Sequence, residues 1–146
     1  MSLDTVYGIG PQVKLVSGIP PTAPAAGTVN GAAIDRLGFT NALVEVEAGA
    51  ATGTPTTQTL DVKVQHSDTS GGTYTDWVPG AAGSGAVAQL TAVSTRKRKS
   101  IDLKGAKQFI RLVAVTAFTG GTAPTLFQSA KVILNGSDTQ PAQSDD

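Results

Sequence analysis

Between residues 28 and 136 the dominant signal is an alternation of apolar and polar positions with period two. "ALVEVEA" sets Ala42, Val44, Val46 and Ala48 against Leu43, Glu45 and Glu47, and "LDVKVQH" sets Leu60, Val62, Val64 and His66 against Asp61, Lys63 and Gln65. Successive side chains of a strand point to opposite faces, so such runs predict half-buried β-strands. "YTDWV" follows a Gly-Gly turn as a short strand, "AVAQLTAV" is a softer candidate, and "KSIDLKG" alternates Ile101 and Leu103 against Ser100 and Asp102. "QFIRLVAVTAF" is almost wholly apolar and β-branched, as expected of a central strand covered on both faces. "FQSAKVILNG" closes the set with Ala130, Val132 and Leu134 on one face.

The segments between these runs, "GAATGTPTTQ", "SDTSGG", "PGAAGSG" and "TGGTAPT", carry turn chemistry, and no stretch offers a long amphipathic helix. About six to eight antiparallel strands with such turns predict an all-β, antiparallel β-sandwich, with a jelly roll among its topologies. Phe39, Trp77, Phe109, Phe118 and Phe127 are expected to anchor the core. Residues 1–27 hold Pro11, Pro20, Pro21 and Pro24 among glycines and alanines. They read as an extended N-terminal arm with one short strand at Val13–Val16. Residues 137–146 are polar and read as a C-terminal tail, which leaves residues 28–136 as the sandwich.

Composition narrows the chemistry. Net charge is zero and only 15% of residues are charged, so no global field draws the chain to nucleic acid or to an anionic membrane. There is no cysteine, which excludes disulfides, thiol catalysis and cysteine-based metal sites. The first residues lack the pattern of a secretory signal, and no apolar run approaches the ~18 residues of a membrane helix.

The candidate chemistry centres on "LDVKVQHSDTSGGTYTDW", which contains the single histidine and the single tryptophan. His66 has the inward parity of Leu60, Val62 and Val64, and the adjacent Ser67 points to the other face, so the two do not form a nucleophile–base pair. No nucleophile-elbow motif is present. Asp68, Ser70 and Asp76 lack the spacing and closing glutamate of a calcium loop, and "GAAGSG" has no following Gly-Lys-Ser/Thr or helix to cradle phosphate. The stretch reads as a β-hairpin with a structural histidine at the strand end and Trp77 as a core anchor. The residues predict a protein that is not an enzyme and needs no cofactor or metal.

The uneven part of the charge distribution is "RKRK", Arg96, Lys97, Arg98 and Lys99, followed by Lys104, Lys107 and Arg111. A solvated face is the first reading, docking to an acidic protein surface the second and nucleic acid the third, because aromatic residues do not interleave the basic ones. The candidate docking residues are Pro11, Val13, Leu15, Pro20 and Pro21 of the arm, with Arg96, Lys97, Arg98 and Lys99.

Val64, Gln65, Ser67, Gly72, Tyr74 and Asp76, followed by Leu103, Gly105, Phe109, Ile110 and Arg111 and then "SAKVILNG", resemble a pattern of small β-rich virion proteins of tailed bacteriophages. The resemblance covers roughly residues 43–136 and brings no catalytic residue with it. It implies a structural component of the particle, a head decoration or cement protein located in the virion and made in the host cytoplasm. It also implies as partners the major capsid protein and neighbouring copies of the chain, with no membrane. A tail, neck or fibre module and a carbohydrate-binding sandwich are the alternatives.

Overall fold

The structure, a computed structural model, describes residues 9–77 and 86–137. A 3-10 turn, Gly10–Gln12, leads into ten strands: β1 (Lys14–Thr22), β2 (Gly27–Asn30), β3 (Ile34–Asp35), β4 (Phe39–Thr52), β5 (Thr57–Ser67), β6 (Thr75–Asp76), β7 (Ala86–Leu90), β8 (Thr95–Asp102), β9 (Phe109–Thr119) and β10 (Thr125–Ser137). They form two sheets. One runs β1-β10-β4-β8; the other runs β2-β9-β5, with β3 also on β9 and with β6 and β7 both on the far side of β5. Every pairing is antiparallel. Counting β3 with β2 and β6 with β7 as single interrupted strands, the chain order becomes 1-8-3-6 in one sheet and 2-7-4-5 in the other. That is the double Greek key of a jelly roll.

The alternation read in the sequence is the burial pattern observed. Val44, Val46, Leu60, Val62, Val64, Leu112, Val132 and Leu134 meet between the sheets at 0–1% exposure. Burying each contributes about 1.5–3 kcal/mol before entropy is counted. A buried polar contact crosses this core: Thr116 on β9 donates to Gln128 Oε1 on β10 at 2.8 Å, while Gln128 Nε2 is buried without a partner among the described residues. Of the expected aromatic anchors, Phe39 is buried, and Trp77 and Phe118 pack against the core from its rim. Phe127 is 53% exposed, which corrects the expectation. Its neighbours Leu126 and Gln128 take the inward positions, so strand parity turns the ring outward.

The N-terminal expectation changes too. The short strand expected at Val13–Val16 is the start of a longer one, and residues 14–22 are not an extended arm. They form an edge strand paired to β10 from Lys14↔Leu134 to Thr22↔Gln128, with Ile19 1% exposed. Proline tolerates an edge because one side of the strand needs no donor. Pro20 and Pro21 are consecutive, so one of the two missing donors faces β10, and the register slips between Ile19 and Thr22. Residues 27–30 likewise pair with β9. The expected C-terminal tail beyond Ser137 lies outside the described residues, as do residues 1–8 of the expected arm and the glycine-rich run at 80–85.

Both open sides of the sandwich are closed by specific contacts. On the β1/β2 side the backbones cross so tightly that a Cβ on Gly31 would lie 2.1 Å from the Gly18 carbonyl oxygen. On the β7/β8 side Lys97 Nζ donates to the Gln89 carbonyl at 2.7 Å. At one end of the sandwich Gly53 and Gly121 interlock: Thr122 N donates to Gly53 O, and a Cβ on either glycine would strike the opposing backbone. Both glycines have positive φ, which alone disfavours other residues there.

Candidate docking face

The hairpin that dominates the sequence signal is a structural assembly. His66 Nδ1 accepts the Lys107 backbone N–H at 3.1 Å, and its ring lies 5.0 Å from that of Trp77. Trp77 Nε1 donates to the Asp102 carbonyl, and Lys107 Nζ pairs with Asp68 at 2.7 Å. On the other face of the same sheet Asp76 receives Lys63 and Gln65, Gln65 Oε1 receives two Arg111 donors, and the Arg111 guanidinium sits 4.3 Å from the centre of the Tyr74 ring. Ser67 is buried, and a Cβ on Gly72 would fall 2.7 Å from its hydroxyl. The residues that carry the phage-protein resemblance are therefore the parts that close this hairpin onto β9. Tyr74 and Trp77 serve opposite faces and do not make a shared aromatic platform.

These contacts have a pH signature. Burial first, then the Lys107 ammonium, hold the His66 pKa below its ordinary 6.5. Hydrogen bonds from Gln65 and then Lys63 hold Asp76 below its ordinary 3.8. In both cases the unfolded chain takes up the proton at higher pH than the folded one, so stability falls as pH falls. Stability is expected to be level above pH 6.5, to drop as pH falls through the folded His66 value, and to drop again below 3.8 through that of Asp76. Because the chain has one histidine, His66→Gln should remove the upper step and leave the lower one. Urea midpoints measured across this range decide it; an upper step that survives the substitution would assign it elsewhere.

Arg36 is the functional-looking residue that periodicity does not reveal. It sits in the turn "DRLG", where Asp35 Oδ1 accepts the Leu37 N–H. Its guanidinium donates to the carbonyls of Lys107, Phe39 and Ala106. It thereby ties the turn before β4 to the 103–108 loop beneath the hairpin.

The predicted docking residues are positioned by the four-stranded sheet. Strand register places Leu15, Ile133 and Leu43 side by side on its outer face, in one row across β1, β10 and β4. The next row of that face is Ser17, Lys131, Glu45 and Arg98, and the one after it contains Ser129, Glu47 and Arg96. Pro21, Gly49 and Phe127 line a hollow at its far end. Leu15 is 60% exposed, and Arg96 and Arg98 are exposed with it. Leu15 and Pro21 of the predicted arm and the two arginines Arg96 and Arg98, distant in sequence, thus share one surface. Lys97 and Lys99 do not belong to it: they pair with Val46 and Val44, whose side chains face the core, so their parity is inward. Val13 is half-buried between the 3-10 turn and β1, Pro20 is exposed on β1, and Pro11 lies in the 3-10 turn. The basic run itself is an edge strand. It shows no apolar period because all of residues 96–100 are exposed and their backbone pairing with β4 does not depend on which side chains they carry.

The face spans four strands and about nine residues of common length, roughly 600 Å² at ~4.8 Å between strands and ~3.4 Å per residue. That approaches the ~800 Å² one partner contributes to a standard protein interface. Among the described residues no group of three or more histidine, aspartate or glutamate side chains converges as a metal site would.

No protein-family model matches this sequence, and no curated protein is similar to it. Among solved structures, the PBSX exported protein XepA is similar at 16% identity over 90% of this chain and 40% of its own, with a TM-score of 0.47. The VP2 subviral particle of infectious bursal disease virus is similar at 14% identity over 87% of this chain and 33% of its own, with a TM-score of 0.47. The CBM36-1 domain of a multidomain xylanase from the hindgut metagenome of Trinervitermes trinervoides is similar at 8% identity over 87% of this chain and 99% of its own, with a TM-score of 0.43. The chain spans about two fifths of the length of XepA and about a third of that of VP2. No residue of the docking face is carried over from these structures.

Proposed function

We propose that this chain is a non-enzymatic structural protein of a virion, a capsid decoration (cement) protein that stabilises a phage head shell. The outer face of its four-stranded sheet is the surface that docks. Its partners are the major capsid protein and neighbouring copies of the chain. The observation that carries the reading is the gathering of Leu15, Ile133 and Leu43 beside Lys131, Glu45 and Arg98 on that face. An apolar row with a charged border has the anatomy of a protein interface.

The edges of the same sheet support face-on docking. β1 carries Pro20 and Pro21 with register slips, and β8 carries lysines of inward parity. Both devices discourage strand addition at an edge. The hairpin resemblance to virion proteins of tailed phages points the same way.

The test is attachment. The purified full chain is expected to bind shells assembled without it at a saturating stoichiometry fixed by shell symmetry. Leu15→Asp should weaken attachment at least tenfold, while its urea midpoint moves by no more than about 0.5 kcal/mol equivalent, as for an exposed position. Thr28→Asp, on the outer face of the other sheet, should attach normally. Equal attachment by Leu15→Asp sinks the face; no attachment by the unaltered chain sinks the function. Removing residues 1–27 is not a clean test, because it would strip the β1 edge strand and the buried Ile19.

A further inference from the structure

Where β1, β4 and β10 approach the glycine-rich loops, the docking face is interrupted by a hollow. Pro21, Thr22, Glu47, Gly49, Phe127 and Ser129 line it, and it holds about 130 Å³. Sites for small organic ligands begin near ~300 Å³, so the hollow has room for one side chain and not for such a ligand. Its floor exists because residue 49 is glycine: a Cβ there would press on the Phe127 Cβ at 3.0 Å.

The walls define the guest. The Phe127 ring is 53% exposed on a face whose other large side chains are aliphatic or charged. Glu47 is the only charged residue in the segments 20–27, 47–57 and 119–130 that build this end. Arg96, its register partner on β8, stands on the same face, yet among the described residues no ion pair joins the two. An aromatic face, a proline and one carboxylate attract a cation on an apolar stem. The chain already uses the aromatic half of this chemistry, where Arg111 lies over Tyr74 and bonds the neutral amide oxygen of Gln65. Here the aromatic and the carboxylate are in place and the chain's own arginine does not bond the carboxylate.

We infer that the hollow between Pro21 and Phe127 receives one basic side chain, an arginine or a lysine, from the protein on which this face docks. The inference rests on reading the face as a docking surface, and it specifies the partner: a basic residue projecting from a surface otherwise matched to the apolar row. The guest's stem lies against Phe127 and Pro21 and its charge meets Glu47.

The probe is the capped tripeptide acetyl-Gly-Arg-Gly-amide, titrated into the isotope-labelled full chain and followed by backbone amide shifts. Saturable shifts are expected at Gly49, Phe127 and Ser129, weakening as salt is added. The citrulline tripeptide, which keeps the shape and loses the charge, should bind at least tenfold more weakly. So should the variants Glu47→Gln and Phe127→Ala, both of which remove exposed groups and leave the core intact. Shifts of equal size with citrulline, or unchanged binding by Glu47→Gln, overturn the inference, as does an absence of shifts at these residues. The two readings fail separately. If Glu47→Gln and Phe127→Ala attach to shells like the unaltered chain while Leu15→Asp does not, the hollow is wrong and the docking face stands. If the unaltered chain never attaches, the docking face falls, and the specificity inferred for its hollow falls with it.

Discussion

Gly31→Ala is expected to destabilise the fold by at least about 3 kcal/mol, a large part of the 5–15 kcal/mol typical of a domain. The new Cβ would sit 2.1 Å from the Gly18 carbonyl oxygen and 3.1 Å from that of Leu112. Neither atom belongs to a side chain that can rotate away, so β1 and β9 would have to separate. The Gly31 N–H also donates to Leu112 O at 2.8 Å, which holds the crossing at this distance. Gly71 is the control, since a Cβ there meets nothing within 4 Å and its φ is ordinary. Urea unfolding should show Gly31→Ala shifted down by over about 1 M and Gly71→Ala almost unmoved. Coincident midpoints would mean that the Gly18–Gly31 crossing does not close this side of the sandwich.

Arg36→Ala is the second large effect, at about 2–4 kcal/mol. Three carbonyls on two chain segments lose a charged donor at once, and water recovers only part of the loss because the site is partly buried. Arg36→Lys should recover a minority of it, since an ammonium cannot present a planar fork to three acceptors. Hydrogen exchange provides the local readout. The Ala106 and Lys107 amides, bonded to Leu103 O and His66 Nδ1, should lose protection in Arg36→Ala well before the β4 and β10 amides do. Uniform loss across the chain would make Arg36 an ordinary contributor to global stability.

Legibility in the sequence followed the physics of each element. β4 and β5 were readable because each is half-buried, and alternation is the imprint of one wet and one dry face. β8 was readable only from Ser100 onward. Its first residues are an exposed edge whose backbone bonds any sequence can make, so "RKRK" reads as a solvated face with no strand period. Only the start of β1, within Val13–Val16, reads as a strand, because the prolines that follow erase the period, although Ile19 is as buried as any core residue. Phe127 has the chemistry of a core residue, while its outward parity follows from Leu126 and Gln128 on either side.

The docking residues separate in the same way. The proline-rich arm marks Leu15 as a docking candidate, uneven charge marks the basic run, and the hairpin motif marks the residues that lock β5 to β9. By itself the sequence determined the strands, their inward faces and the turn chemistry of the hairpin, because these depend on neighbours one to four positions apart. Only the tertiary structure decided that β1, β10, β4 and β8 lie side by side, which brings Leu15, Ile133, Leu43 and Arg98 onto one surface and turns Lys97 away from it. That order comes from packing two sheets around a shared core, and the contacts involved join residues as far apart in the chain as Lys14 and Leu134, beyond the reach of any local pattern.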